Sequence, residues 1–274
     1  MKRLAVMVLS AMALTGCVTS QVTNPRVINI AATPTPASAQ IAGSIQHLVD
    51  QTSATYVTLV VHNSPGRKQL RDDSLSEAVA SGSGFLIDDQ GTVVTAGHVG
   101  IEKGWMVEAR GPDGRIYQGN VVALSYSPDV AVIKLKDMTG NASVQPASAR
   151  CLRPGEPVFS LGKPRAEGDI ARTGELAALH FERPVTYAKF GYPDAMVLKL
   201  STRRGESGGP VFNDRGELIG MVVSTLSDKT TGAPLDLAHA LPASMVAQTV
   251  CSSVSCSAAW KQLATQKPEQ CPAL

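Results

Sequence analysis

The sequence predicts an all-β protein, and three observations support this. From about Thr52 onward, short apolar or alternating runs recur between turn signals, as in YVTLVVH, SGFLI, TVVTA and VAVIKL; PVFSLG, AMVLKLS and ELIGMVVSTL repeat the style later. Strands of this length and spacing belong to a sandwich or barrel, not to alternating strands and helices. The punctuation between them, DDQG, GPDG and SPD, consists of residues that form turns. Only residues 41–51 and 243–250 have helical character. Residues 139–155, TGNASVQPASARCLRPG, have no strong period and read as a connection between two lobes, one over about 51–140 and the other over about 154–242.

The N-terminus reads as an export signal. Lys2 and Arg3 precede the apolar run from Leu4 to Leu14, which is shorter than the roughly 20 residues that cross a bilayer. The following Leu14-Thr15-Gly16-Cys17 resembles the bacterial lipobox, so residues 1–16 are expected to be removed and Cys17 to carry acyl chains. That puts the protein in the bacterial envelope, facing the periplasm and held to the membrane by lipid. Val18, where an aspartate would favour inner-membrane retention, points to the outer membrane. Residues 17–50 begin with a stretch rich in Thr, Pro, Ala and Ser, as in TPTPAS, and read as a flexible tether.

Lys2 and Arg3 account for the excess of 25 basic over 23 acidic residues, so the processed chain is balanced and shows no footprint for nucleic acid. Four cysteines follow Cys17: Cys151, Cys251, Cys256 and Cys271. An even number in an exported chain favours disulfides, with three connectivities open. Residues 251–274 read as a tail too short and polar to pack by itself, pinned to the body by those bonds with Cys151 as one anchor. A zinc site is disfavoured, because neither a Cys-x-x-Cys pair nor a neighbouring histidine is present. No metal or other cofactor is expected.

Chemistry concentrates in three segments. RRGESGGPVFN, residues 203–213, holds Ser207 in a Gly-x-Ser-x-Gly pattern shared by two hydrolase folds. In an α/β-hydrolase a helix follows the serine, but here Gly208, Gly209, Pro210 and the turn from Asn213 to Gly216 leave no room for one. The serine therefore lies on a loop that leads into a hairpin. The alternative order places a histidine and an aspartate earlier in the chain. Residues 81–99, SGSGFLIDDQGTVVTAGHV, give strand, turn, strand and then His98; Asp129 follows in SPDVAVIKL just before an apolar strand.

TAGHV, DVAVIKL and GESGGPVFNDRGELIGMV together resemble the trypsin-like serine peptidases, most closely the bacterial HtrA/Deg branch. The resemblance covers roughly residues 79–250. It implies a peptidase domain over 51–250, built as two six-stranded antiparallel β-barrels with a short C-terminal helix, that acts on protein or peptide substrates. His98, Asp129 and Ser207 would be its catalytic residues, and the backbone N–H groups of Gly205 and Ser207 its oxyanion hole. The residues after Val250 leave no room for the PDZ domain typical of HtrA proteins. Ser201, Thr202 and Val222 would form the specificity pocket, giving a preference for small or medium apolar residues on the acyl side of the cut. An acidic residue ranks second, because Thr202 could supply the hydroxyl that glutamate-specific relatives use but the strand from Ile219 to Val223 has no histidine; Arg203 and Arg204, if they reach the pocket, would favour an acidic residue. The rival reading is a latent or inactive relative that binds or chaperones other proteins.

Overall fold

The computed structural model describes residues 26–65, 78–147, 151–165, 167–228 and 230–266. The expected signal, Cys17 and Cys271 lie outside these residues.

The chain joins the fold earlier than its composition suggests. Strand β1 (Ile28–Ala32) pairs in parallel with β9 (Asp169–Ala178), in register Ile28 to Asp169, and helices α1 (Pro36–Ile41) and α2 (Ile45–Thr52) follow. This corrects the tether reading for the described part of residues 17–50. TPTPAS here is capping chemistry: the Thr35 hydroxyl accepts the Ser38 N–H at 3.0 Å, and Pro36 takes the first helical position with its fixed φ. Ala37, Ser38 and Ile41 are buried. Arg26 clamps the segment by donating to the carbonyls of Tyr56 (2.8 Å) and Arg110 (2.9 Å) and pairing with Asp169 at 3.1 Å. Its guanidinium lies over the Tyr56 ring.

The first barrel comprises β2 (Tyr56–Pro65), β3 (Ala78–Leu86), β4 (Thr92–Thr95), β5 (Trp105–Arg110), β6 (Ile116–Ser125) and β7 (Val130–Leu135), closed in the order β2-β3-β4-β7-β6-β5. All neighbours are antiparallel. The run VAVIKL of β7 is apolar on both faces because one fills the barrel and the other meets α3 (Gly97–Gly100) and α4 (Ala243–Cys251). Lys134 alone breaks this burial, and its ammonium reaches the Gln90 carbonyl.

The second barrel uses β8 (Pro157–Gly162), β9, β12 (Met196–Lys199), β13 (Pro210–Asn213), β14 (Leu218–Ser227) and β15 (Pro234–Pro242). The sheet order is β1-β9-β12-β15-β14-β13-β8, and the β8–β9 pairing closes it, leaving β1 as an outer seventh strand. A hairpin of β10 (Val185–Tyr187) and β11 (Phe190–Tyr192) stands apart from this sheet. Leu176, Met196, Leu198, Val211 and Val222 fill this barrel, whereas the other apolar cluster runs from the first barrel through α2 and α4.

The C-terminal segment also departs from expectation. Helix α5 (Ala258–Ala264) is capped by Ser257, and Trp260 and Leu263 are buried in the main apolar cluster. Packing as well as disulfide bonding holds the described part of the tail. Cys251 bonds to Cys256, closing a short loop between α4 and α5. Cys151 is also disulfide-bonded.

Candidate active site

β4 ends at Thr95, and the single turn α3 starts two residues later, carrying His98 to the junction of the barrels. Asp129, which precedes β7, is wholly buried. Its Oδ1 accepts the His98 backbone N–H at 2.7 Å, and its Oδ2 lies 2.6 Å from His98 Nδ1. One oxygen therefore holds the main chain of the histidine and the other orients its ring, leaving Nε2 as the ring nitrogen not engaged by the carboxylate.

A third group completes the arrangement. The Tyr187 hydroxyl, carried by β10, donates to Asp129 Oδ2 and lies 3.3 Å from His98 Nδ1. Burial and the Asp129 charge push the phenol well above its ordinary range, so it stays a donor. The hairpin is tied down around this contact. Gly191 N–H donates to the Tyr126 carbonyl at 2.9 Å, Lys189 pairs with Glu102 at 3.1 Å, and Phe190 meets the His98 ring edge-on.

Ser207 lies on the loop between β12 and β13 and lines the same cleft as His98. β3 of the other barrel braces this loop: Ser83 N–H donates to the Ser207 carbonyl (2.9 Å) and Ser83 Oγ to the Gly205 carbonyl (2.9 Å). Neither the Gly205 nor the Ser207 N–H donates to a backbone carbonyl among the described residues. Gly205 has φ +104°, and a Cβ there would lie 2.4 Å from the Lys163 carbonyl oxygen; at Gly208, φ +83°, it would lie 2.1 Å from Thr95 Oγ1. Both glycines are required by conformation and by close approach.

Glu206, between these donors, turns inward. Its carboxylate receives Arg172 Nε at 2.8 and 2.9 Å and the Arg203 N–H at 3.1 Å, and both Glu206 and Arg172 are buried. Burial pushes the Glu206 carboxyl above its ordinary range, while Arg172 pulls against it.

The trypsin-like peptidase domain matches residues 82–221, just over half of the 274-residue chain. The chain belongs to the trypsin-like peptidase family. It is 30% identical over 171 residues to the periplasmic serine endoprotease DegP of Escherichia coli (strain K12), covering 61% of this chain and 34% of that one. It is 31% identical over 181 residues to a probable serine protease do-like of Buchnera aphidicola, covering 64% of this chain and 36% of the relative. The trypsin-like chain thus spans about a third of the length of these relatives. Among solved structures, the Rv3671c protease of M. tuberculosis in an inactive form superposes with a TM-score of 0.59 at 22% identity, over 83% of this chain and 100% of that one. An HtrA-type protease with a decapeptide gives 0.61 at 20% identity, over 76% of this chain and 66% of that one. These two likenesses show the fold.

Within this trypsin-like frame the expected specificity pocket needs correction. Ser201, Thr202 and Val222 are not among the residues that line the cleft. The Ser201 hydroxyl is engaged with Asp236 and Thr33, Thr202 Oγ1 lies 2.8 Å from Thr225 Oγ1, and Val222 uses its backbone to pair with Gly208 and Gly209. The cleft lining begins one residue further on, at Val223, Ser224 and Thr225, and includes Arg203 and Arg204. Sequence reasoning missed Tyr187, Ser83 and the Arg172–Glu206 pair. A carboxylate between the glycines of GESGGP was the one signal that could have prompted a search for a buried cation.

Proposed function

We propose that the protein is a serine endopeptidase in which Ser207 is the nucleophile, His98 the general base and then acid, and Asp129 the group that orients His98 and stabilises its imidazolium. The observation that carries this reading is the two-point grip of Asp129 on His98, through main chain and ring, beside Ser207 in one cleft. Ser207 Oγ attacks the scissile carbonyl carbon while His98 Nε2 takes its proton. The oxyanion is met by the Gly205 and Ser207 N–H groups. The C–N bond then breaks as Nε2 returns the proton to the departing amine, and a water repeats the sequence to release the acyl group. Substrates are proteins or peptides in the bacterial envelope, as the periplasmic naming of the DegP relative supports. Anchoring through lipid on Cys17 belongs to the same reading; release of Cys17→Ser from the membrane fraction supports it, and retention rejects it.

A fluorophosphonate probe tests the chemistry directly, because it labels only a serine that a base has activated. Labelling of the wild type that disappears in Ser207→Ala and His98→Ala is expected, together with hydrolysis of casein by the wild type alone. A folded wild type that takes no label would instead be the binding or chaperone protein.

A further inference from the structure

The cleft beside Ser207, of about 850 Å³, is lined by three guanidinium-bearing side chains, Arg165, Arg203 and Arg204, against one carboxylate, Glu167. None of the three arginines forms an ion pair among the described residues. Glu206 does not neutralise them, since it is buried and turned toward Arg172, and Glu167 is exposed and lies 3.9 Å from the same Arg172. Arg203 is half-buried and held in place: its Nη1 donates to the carbonyls of Ser201 and Thr202, both at 2.9 Å, which leaves Nε and Nη2 without an acceptor among the described residues. Ser224, Thr225 and Ser227 also line the cleft, with the Ser224 hydroxyl 2.9 Å from the Tyr192 hydroxyl and the Thr225 hydroxyl 2.8 Å from that of Thr202; Pro164, Tyr187 and Val223 give it apolar surface as well.

We propose that this cleft selects an acidic side chain on the acyl side of the cut, with Arg203 as the fixed counter-charge and Arg165 and Arg204 adding to it; the proposal rests on the peptidase reading. Arg203 is anchored on the backbone carbonyls of Ser201 and Thr202 and lines the cleft together with Ser207 and with Val223, Ser224 and Thr225 of β14. A guanidinium with two free donors matches a carboxylate. A lysine or arginine side chain would add like charge to a partly desolvated site, and an apolar one would leave the donors unmet.

The test is a set of peptides that differ only at the acyl-side residue: Glu, Asp, Gln, Val or Lys. Wild-type kcat/KM is expected to favour Glu or Asp over Gln by at least roughly tenfold, the range of a charge-assisted hydrogen bond. Arg203→Gln should collapse most of that ratio, and addition of Arg204→Gln the remainder. Equal rates for Glu and Gln, a leading rate for Val or Lys, or an unchanged ratio in the double variant would overturn the proposal. A second arm needs no turnover: fluorescence anisotropy of the Glu and Gln peptides on Ser207→Ala. Tighter, salt-sensitive binding of the Glu peptide supports the proposal, and equal affinity rejects it. Failure of the peptidase reading is separately visible, as absence of fluorophosphonate labelling with the anisotropy preference intact.

Discussion

The two barrels each contribute one carboxylate paired with a nitrogen-bearing side chain, and they hold it differently. In the first barrel, Asp129 grips His98 through a strand end and a single helical turn, and the His98 side chain opens to the cleft. In the second, Glu206 and Arg172 are both sealed under the loop that carries Ser207. In the proposed mechanism the first pair acts on substrate, whereas the second shapes the loop that carries Ser207. A chemical pair needs access to solvent and a changing charge, but a shaping pair needs burial and a constant one.

This contrast makes opposite demands on variants. Asp129→Asn is expected to lower kcat by about four orders of magnitude, through loss of the correct imidazole tautomer, with folding retained. Hydrolysis at more than a hundredth of the wild-type rate would remove Asp129 from that role. Glu206→Gln strikes stability instead. It leaves Arg172 buried without a counter-charge, a cost that relief of the buried Glu206 charge offsets in part. Replacing both partners, as Arg172→Met with Glu206→Leu, should recover much of that stability but not turnover, because the Arg203 N–H then loses its acceptor and the loop that carries Ser207 its anchor. Urea titration and peptide hydrolysis on the same samples separate the two effects. A double variant that turned over like wild type would reduce the pair to packing.

Tyr187 joins the two regions, since a hairpin from the second half of the chain completes the acid of the first barrel. Tyr187→Phe is expected to lower kcat about tenfold, the worth of one hydrogen bond to a charged group. An unchanged rate would show that Tyr187 only packs against the ring.

What could be read from the sequence followed from how local each feature is. Strand, turn, strand and His98 lie within one short stretch, and Asp129 stands directly before an apolar strand, so residue type and order were enough to select them. Ser207 was legible because glycine and proline leave only a loop there. Tyr187 was not, because its hairpin has three-residue strands and its contact with Asp129 spans 58 residues. The wall of the cleft on β14 was read one residue early, at Val222 where the lining starts at Val223. Which side of a strand faces the cleft depends on the bulge between Val222 and Ser224, and alternation alone does not reveal it. The tether reading failed on ambiguous chemistry: threonine, proline and serine suit a linker, and they equally suit a helix start once β1 has a partner strand.

The smallest expected effect concerns a histidine the chemistry does not use. His239 on β15 is buried, its Nδ1 lies 2.8 Å from the Tyr192 hydroxyl, and its Nε2 has no partner among the described residues. Burial holds its pKa below the ordinary histidine value. As pH falls through about 6.5, an unfolded histidine takes up a proton while the buried one does not, so the unfolded state binds more protons and stability declines. The decline runs from the ordinary value down to the depressed one. Glu206 works in the other direction: its raised carboxyl takes up a proton in the folded state first, which adds stability on acidification above the ordinary carboxylate range. A wild-type profile alone mixes these terms. The difference between wild type and His239→Asn isolates the histidine, because asparagine keeps a polar atom near Tyr192 but does not titrate. The variant should be less stable at pH 7, where the smaller side chain leaves a void, yet lose less on going to pH 5. Urea midpoints that fall in parallel for both proteins would mean that His239 is protonated as easily in the folded state as in the unfolded one.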